Sequence, residues 1–276
     1  MRELHEWTME GGAGSIHAVR WQDPDVAARF AVVLVHGYGE HIGRYDHVAE
    51  ALVRAGAVVY GLDHRGHGRS DGERVLVDDF DELVADVHRL DDIARDERPE
   101  LPMVMIGHSM GGLIAARYAQ RYGSSLAALV LSGPAIGRFE LVPTLLALDE
   151  IPDDPLDVSV LSRDPLVGAT YADDPLVWHG AFKRPTLEAF ATSIAAIDEA
   201  GSLGDLPLLW IHGADDQLVP IEGTRVGIAA LRGANHRAIE YEGARHEVLN
   251  ETNRDDVLAE LVRFIDDTLA GAVATD

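Results

Sequence analysis

Short apolar runs alternate along the chain with longer stretches of helical spacing. Ala31-Val32-Val33-Leu34-Val35, Met103-Val104-Met105-Ile106, residues 126–131 and Leu208-Leu209-Trp210-Ile211 are continuous apolar runs, the pattern of strands covered on both faces. Ala238-Ile239-Glu240-Tyr241 reads as the last strand, and Val19-Arg20-Trp21 as part of an N-terminal hairpin that starts the sheet. Between these lie helical patterns. Residues 79–98 carry Leu83, Val84, Val87, Leu90 and Ile93 on one stripe, and residues 255–269 carry Val257, Leu258, Leu261, Val262 and Ile265 at the same spacing. Residues 113–122 are helix-like as well. With 276 residues, 47% of them hydrophobic, the chain can bury a large core, and the alternation predicts one α/β domain over 1–276. The pattern breaks over 134–200. There Pro143, Pro152, Pro155, Pro165, Pro175 and Pro185 punctuate short helical pieces, which predicts a cap inserted after the strand at 126–131. Within it, residues 141–148 are unusually apolar for a surface insertion. They read either as an apolar lid over a site or as a cap helix packed on the core.

The chemistry lies where strand patterns end. Gly107-His108-Ser109-Met110-Gly111-Gly112 joins the apolar run 103–106 to the helical run 113–122, the context of a nucleophile elbow. A serine hydroxyl is a poor nucleophile at neutral pH and needs a sharp turn where a histidine can take its proton. Glycines at 107 and 111 supply the room, and the helix that follows aims its first amides at an oxyanion. The run 31–35 leads into His36-Gly37-Tyr38-Gly39-Glu40-His41, a second source of amide donors; the backbone N–H groups of Tyr38 and Met110 are the oxyanion-hole candidates. After 208–211 comes His212-Gly213-Ala214-Asp215-Asp216, with adjacent carboxylates of which one can orient a histidine. His246, in the loop after the last strand, is the general-base candidate, and the order Ser, Asp, His is one that this chemistry uses. Other histidines are given quieter roles. His212 and His236 are expected to be hydrogen-bonded at strand ends, His108 to point away from the serine, and His64 and His67 to form a hydrogen-bonded loop packed under the site, with no metal.

With these parts in place the sequence resembles the monoacylglycerol lipases of the α/β-hydrolase superfamily. The segment 36–45 is similar to the family's H-G-x-G-E-H-x-x-R-Y stretch, 61–72 to its D-x-R-G-H-G-x-S-x-G loop, and Tyr171-Ala172-Asp173-Asp174-Pro175-Leu176 to a Y-x-x-D-P-L segment of its cap. The matches run over 32–251. The resemblance implies an α/β-hydrolase fold, with a mostly parallel central sheet flanked by helices and an inserted helical cap. It further implies Ser109, Asp216 and His246 as the triad, because Asp216-Gln217-Leu218-Val219 fits the family's D-x-[LI]-[VC] pattern better than the register beginning at Asp215. Glu40, Arg44 and Tyr171 match positions the family uses around the glycerol end of the substrate. Tyr38 departs from the small residue often found beside the His-Gly pair, which leaves the backbone donor intact but reshapes the acyl entrance. The activity implied is cleavage of monoacylglycerols to fatty acid and glycerol through an acyl-serine, with no cofactor. A lysophospholipase or broad carboxylesterase would use the same machinery, and a non-catalytic ligand-binding α/β protein is the reading from another class.

Composition narrows the partners. Acidic residues number 47 against 23 basic ones, a formal charge of −24, which disfavours nucleic acid and anionic membranes. The partner that the resemblance implies is a small lipid ester, and on the lid reading the apolar cap residues 141–148 line an acyl tunnel and transiently touch lipid surfaces. Lys183 is the single lysine among these bases. Such a balance reads either as adaptation to high salt or as the codon usage of a GC-rich genome. The absence of cysteine suits a reducing compartment, and Met1-Arg2-Glu3-Leu4-His5-Glu6-Trp7 lacks the apolar core of a signal peptide, so the expected location is cytoplasmic. The sequence leaves acyl length, positional preference and oligomeric state open.

Overall fold

A computed structural model of the protein describes residues 3–154 and 156–273. Eight strands form one sheet. β1 (Glu3–Gly11) and β2 (Gly14–Gln22) are an antiparallel hairpin, and β2 runs antiparallel to β4. The remainder is parallel: β3 (Phe30–Val35), β4 (Ala57–Leu62), β5 (Met103–His108), β6 (Ala128–Ser132), β7 (Leu208–Gly213) and β8 (His236–Tyr241), in the spatial order β1-β2-β4-β3-β5-β6-β7-β8. The helices between them are α1 (Asp46–Arg54), α2 (Phe80–Glu97), α3 (Met110–Tyr122), α4 (Leu141–Leu146), α5 (Pro165–Asp173), α6 (Arg184–Ala200), α7 (Ile221–Leu231) and α8 (Arg254–Val273).

Strand residues alternate between two core layers, because successive side chains leave a strand on opposite faces. Along β3, Ala31, Val33 and Val35 join the layer packed by α2, α3 and α6, whereas Phe30, Val32 and Leu34 join the layer packed by α1 and α8. Both faces are covered, which is why the run is apolar throughout. The predicted stripe of α2 buries Leu83, Val84, Val87 and Leu90, and Asp79 caps its start by accepting the Asp81 amide at 2.8 Å. β8 is the outer strand; its burial alternates between exposed and partly covered residues.

The parallel strands all point their carboxyl ends to one edge of the sheet, so the loops after β3, β5, β7 and β8 meet there. The connection between β6 and β7 supplies α4, α5 and α6. Of these α6 places its Leu187, Ala189, Phe190 and Ile197 in the same core layer as α2 and α3. Among the described residues no helix is long and apolar enough to cross a membrane.

Candidate active site

Ser109 sits between β5 and α3 with φ 55° and ψ −118°. A non-glycine residue in that region costs of order 1–3 kcal/mol, so the surrounding structure has to hold it. The elbow is fastened through its own peptide groups. Ser109 N–H donates to Ser132 O at 2.9 Å, and the Ser109 carbonyl accepts from Gly112 and Ala135 at 2.9 and 3.1 Å. The glycines are there because the chain passes at contact: a Cβ on Gly107 would lie 2.2 Å from the Gly111 carbonyl oxygen, and one on Gly111 would lie 2.1 Å from that of Val35. The two elements extend further toward the serine than the apolar runs suggest. β5 continues to His108 because the ladder with β6 pairs Gly107 with Leu131 and His108 with Ser132, and α3 begins at Met110.

The paired acids of the loop after β7 separate cleanly. Asp215 is exposed, and Asp216 is buried, 5% accessible. Asp216 Oδ2 accepts from His246 Nδ1 at 2.7 Å and lies 3.1 Å from His212 Nε2, while Oδ1 accepts the amides of Leu218 and Val219, each at 2.9 Å. Burial opposes the charge on this carboxylate. The His246 charge and the hydrogen bonds from His212 and His246 outweigh it, leaving the acid well below the ordinary carboxylate range. Burial likewise disfavours a charged His246; Asp216 outweighs it, with smaller contributions from Glu247 and Glu40, and the imidazole ends above its ordinary value. His212 is structural, as its position suggested: Trp210 Nε1 donates to its Nδ1 at 3.2 Å, and its Nε2 reaches Val219 O at 2.9 Å.

The loop after β3 presents the Tyr38 amide. Neither Tyr38 nor Met110 N–H donates to another described residue. Gly37 N–H, by contrast, donates to Glu40 Oε1 at 2.6 Å, and a Cβ on Gly37 would come within 3.3 Å of Ser109 Cβ. Glu40 also accepts from Tyr45 OH at 2.7 Å and pairs with Arg44, whose guanidinium forks onto Glu247 at 2.9 and 2.8 Å and lies 4.9 Å from the Tyr171 ring. Glu247 has no motif that singles it out; only its place beside His246 hinted at a role.

Ser109, His246, Glu40, Arg44, Tyr171 and Glu247 all line one cavity of about 380 Å³. Its other walls are mostly apolar and aromatic, with Tyr38 stacked on Phe182 at 4.5 Å and Phe139 and Phe190 alongside, and with Asp154 and His179 also at the lining. Leu141 lines this cavity, but Leu145 and Leu146 do not; they pack onto the core layer that holds α6. His108 is fixed at the edge of the site. It lines the same cavity, tilts against His246 at 4.7 Å and is held at Nδ1 by the Ser132 carbonyl and hydroxyl, both at 3.1 Å; burial and the nearby His246 push it down to about 4. His64 and His67 are buried against His36, as a packed loop requires, but both ring nitrogens of His64 lack a hydrogen-bond partner among the described residues. His236 is exposed at the start of β8, beside Arg232.

Comparison with known proteins settles the family. The model of the family described as serine aminopeptidase, S33, matches residues 27–253. A monoacylglycerol lipase of Mycolicibacterium smegmatis is 39% identical over 96% of this chain and 97% of its own. The chain belongs to the monoacylglycerol lipase family of α/β-hydrolases. The human monoglyceride lipase is 30% identical over 84% of this chain and 80% of its own. Among solved structures, the monoacylglycerol lipase of Paleococcus ferrophilus superposes with a TM-score of 0.77 at 27% identity, covering 94% of this chain and all of that one. The family's fold is the one described above.

Proposed function

We propose that this member of the family hydrolyses monoacylglycerols to glycerol and a fatty acid through an acyl-Ser109 intermediate. His246, in its neutral form, takes the Ser109 Oγ proton as Oγ bonds to the ester carbonyl carbon, and Asp216 holds the ring with Nδ1–H toward itself so that Nε2 is the accepting atom. The amides of Tyr38 and Met110, free of other partners among the described residues, receive the charge that develops on the carbonyl oxygen. As the tetrahedral centre collapses the carbon–oxygen bond to glycerol breaks, and the imidazolium returns its proton to that oxygen. A water then repeats the sequence: its proton goes to His246, its oxygen to the acyl carbon, and Ser109 leaves reprotonated. The observation that carries this reading is the joining of buried Asp216 to His246, which lines the same cavity as the strained Ser109, in a chain whose 39% identical relative is a monoacylglycerol lipase.

The cavity has two characters suited to such a substrate. The Phe139, Phe182 and Phe190 wall suits an acyl chain, and the region near Tyr171 and Arg44 suits a polyol. We read residues 134–200 as the cap, whose Phe139, Leu141, Tyr171 and Phe182 line the cavity. A substrate panel tests the function: release of fatty acid from monoolein, diolein, triolein and lysophosphatidylcholine, each at equal concentration. Monoolein is expected to be cleaved fastest. Preference for lysophosphatidylcholine would make the protein a lysophospholipase on the same machinery, and absence of cleavage of every ester would return the chain to the ligand-binding class.

A further inference from the structure

We propose that Glu247 is a positioning residue for this reaction: through Arg44 and Glu40 it locks the loop that carries the Tyr38 amide onto the loop that carries His246. The proposal rests on the hydrolytic reading above. Its geometry is a chain of ion pairs across the site. Glu247 is 3% accessible, and both its carboxylate oxygens take the Arg44 fork, with Asn250 Nδ2 donating to Oε2 at 2.8 Å. Arg44 passes the link to Glu40, and Glu40 Oε1 ends it on the Gly37 amide, one residue before the oxyanion donor. Glu247 N–H and His246 N–H are anchored in turn on Leu161 O and Val160 O, at 2.8 and 3.3 Å, so the connection between β6 and β7 braces the same loop.

The hydrogen-bond tally argues against Glu40 and Glu247 serving mainly as contacts to glycerol. Glu40 Oε1 is taken by Gly37 and Tyr45 and Oε2 by Arg44, and three of the four terminal N–H groups of Arg44 go to the two acids. A buried group whose bonds are already made gains little by exchanging them for a substrate hydroxyl. The charge tally points the same way. Two carboxylates share one guanidinium, leaving an excess negative charge beside His246, where a positive charge forms twice in each turnover. The charged and titratable groups facing His246 are Asp216 from the loop after β7, Glu247 on its own loop, Glu40 and Arg44 from the loop after β3, and His108 at the end of β5.

Kinetics of Glu247→Gln test this on two substrates, 1-monooctanoylglycerol and p-nitrophenyl butyrate, which has no glycerol. The expected result is a fall in kcat of about 10–100-fold on both, since small misplacements of reacting groups cost that much. KM should change little, and the acid limb of the kcat/KM profile should move down by about half a pH unit as a negative charge leaves the imidazolium's surroundings. Labelling of Ser109 by an alkyl fluorophosphonate should slow in parallel. Glu247→Asp keeps the charge and shortens the reach; it should lose kcat with the acid limb unmoved, and it serves if Glu247→Gln does not melt cooperatively. Two results would overturn the proposal. A rise in KM for the monoacylglycerol alone would make the network a head-group contact. Loss of kcat in Glu247→Gln with the acid limb in place and unchanged labelling would leave it a structural brace. Because p-nitrophenyl butyrate reads the machinery without glycerol, wild-type cleavage of that ester but not of monoacylglycerol would instead fail the functional reading.

Discussion

Asp216 and Asp215 are neighbours of identical chemistry, and the residues alone leave open which one serves His246. Local spacing decides nothing because adjacent side chains point apart; the decision belongs to the loop, which turns Asp215 to solvent and closes Asp216 under the amides of Leu218 and Val219. Asp216→Asn should lower kcat by about 10⁴-fold, by presenting His246 with a donor in place of an acceptor and favouring the wrong tautomer, and should also lower the melting temperature, because the stability contributed by the ionised carboxylate goes with it. Assays on monooctanoylglycerol check it, and a loss under tenfold would mean that Asp216 does not orient the base. The raised His246 sets the acid side of the pH profile. Its neutral form is the base, so kcat/KM should fall as pH drops through a value above that of an ordinary imidazole. For stability the signs are opposite between partners. The raised His246 contributes stability below its unfolded-state value that fades as pH rises through its folded one, whereas the depressed Asp216 contributes above its unfolded-state value and fades as pH falls through its folded one. Glu247 shows the limit of reading at this scale. Among 47 acidic residues nothing in the sequence marks a buried one, since burial is decided by which loops meet.

At the scale of elements most of the parallel strands and the two amphipathic helices were legible from their apolar residues, whereas β4, buried throughout, was not picked out. Boundaries were harder where backbone packing overrides composition. Glycines at 111 and 112 argue against a helix start, yet α3 begins at Met110, since close approach to the carbonyls of Val35 and His36 requires residues without Cβ. Gly111→Ala should therefore destabilise the fold by more than about 1 kcal/mol despite the better helix propensity of alanine, a result read from denaturant melts. Asp79→Ala should cost about 1 kcal/mol through loss of the α2 cap, with the catalytic constants unchanged. The apolar stretch 141–148 was legible only as a choice. Leu141 meets the cavity, whereas Leu145 and Leu146 pack beside α6, a division that period and hydropathy do not reveal.

Across the whole molecule, the site is assembled by topology. Residues as distant in sequence as Tyr38, Ser109, Asp216 and His246 meet because parallel strands end together, which no local pattern displays but which follows from the alternation of strands and helices. The charge of −24 also acts at this scale. Self-repulsion is screened as ionic strength rises, so the melting temperature should climb between low and molar salt; a flat or falling series would show that the surface ion pairs outweigh the excess charge. The central claim is that Ser109 carries the acyl group from a monoacylglycerol, and the most direct measurement is glycerol release from monoolein by the wild type and Ser109→Ala side by side. Steady release by the wild type and a loss of about 10⁴-fold or more in a normally folded Ser109→Ala is the predicted result. Release by Ser109→Ala within tenfold of the wild type would contradict the account.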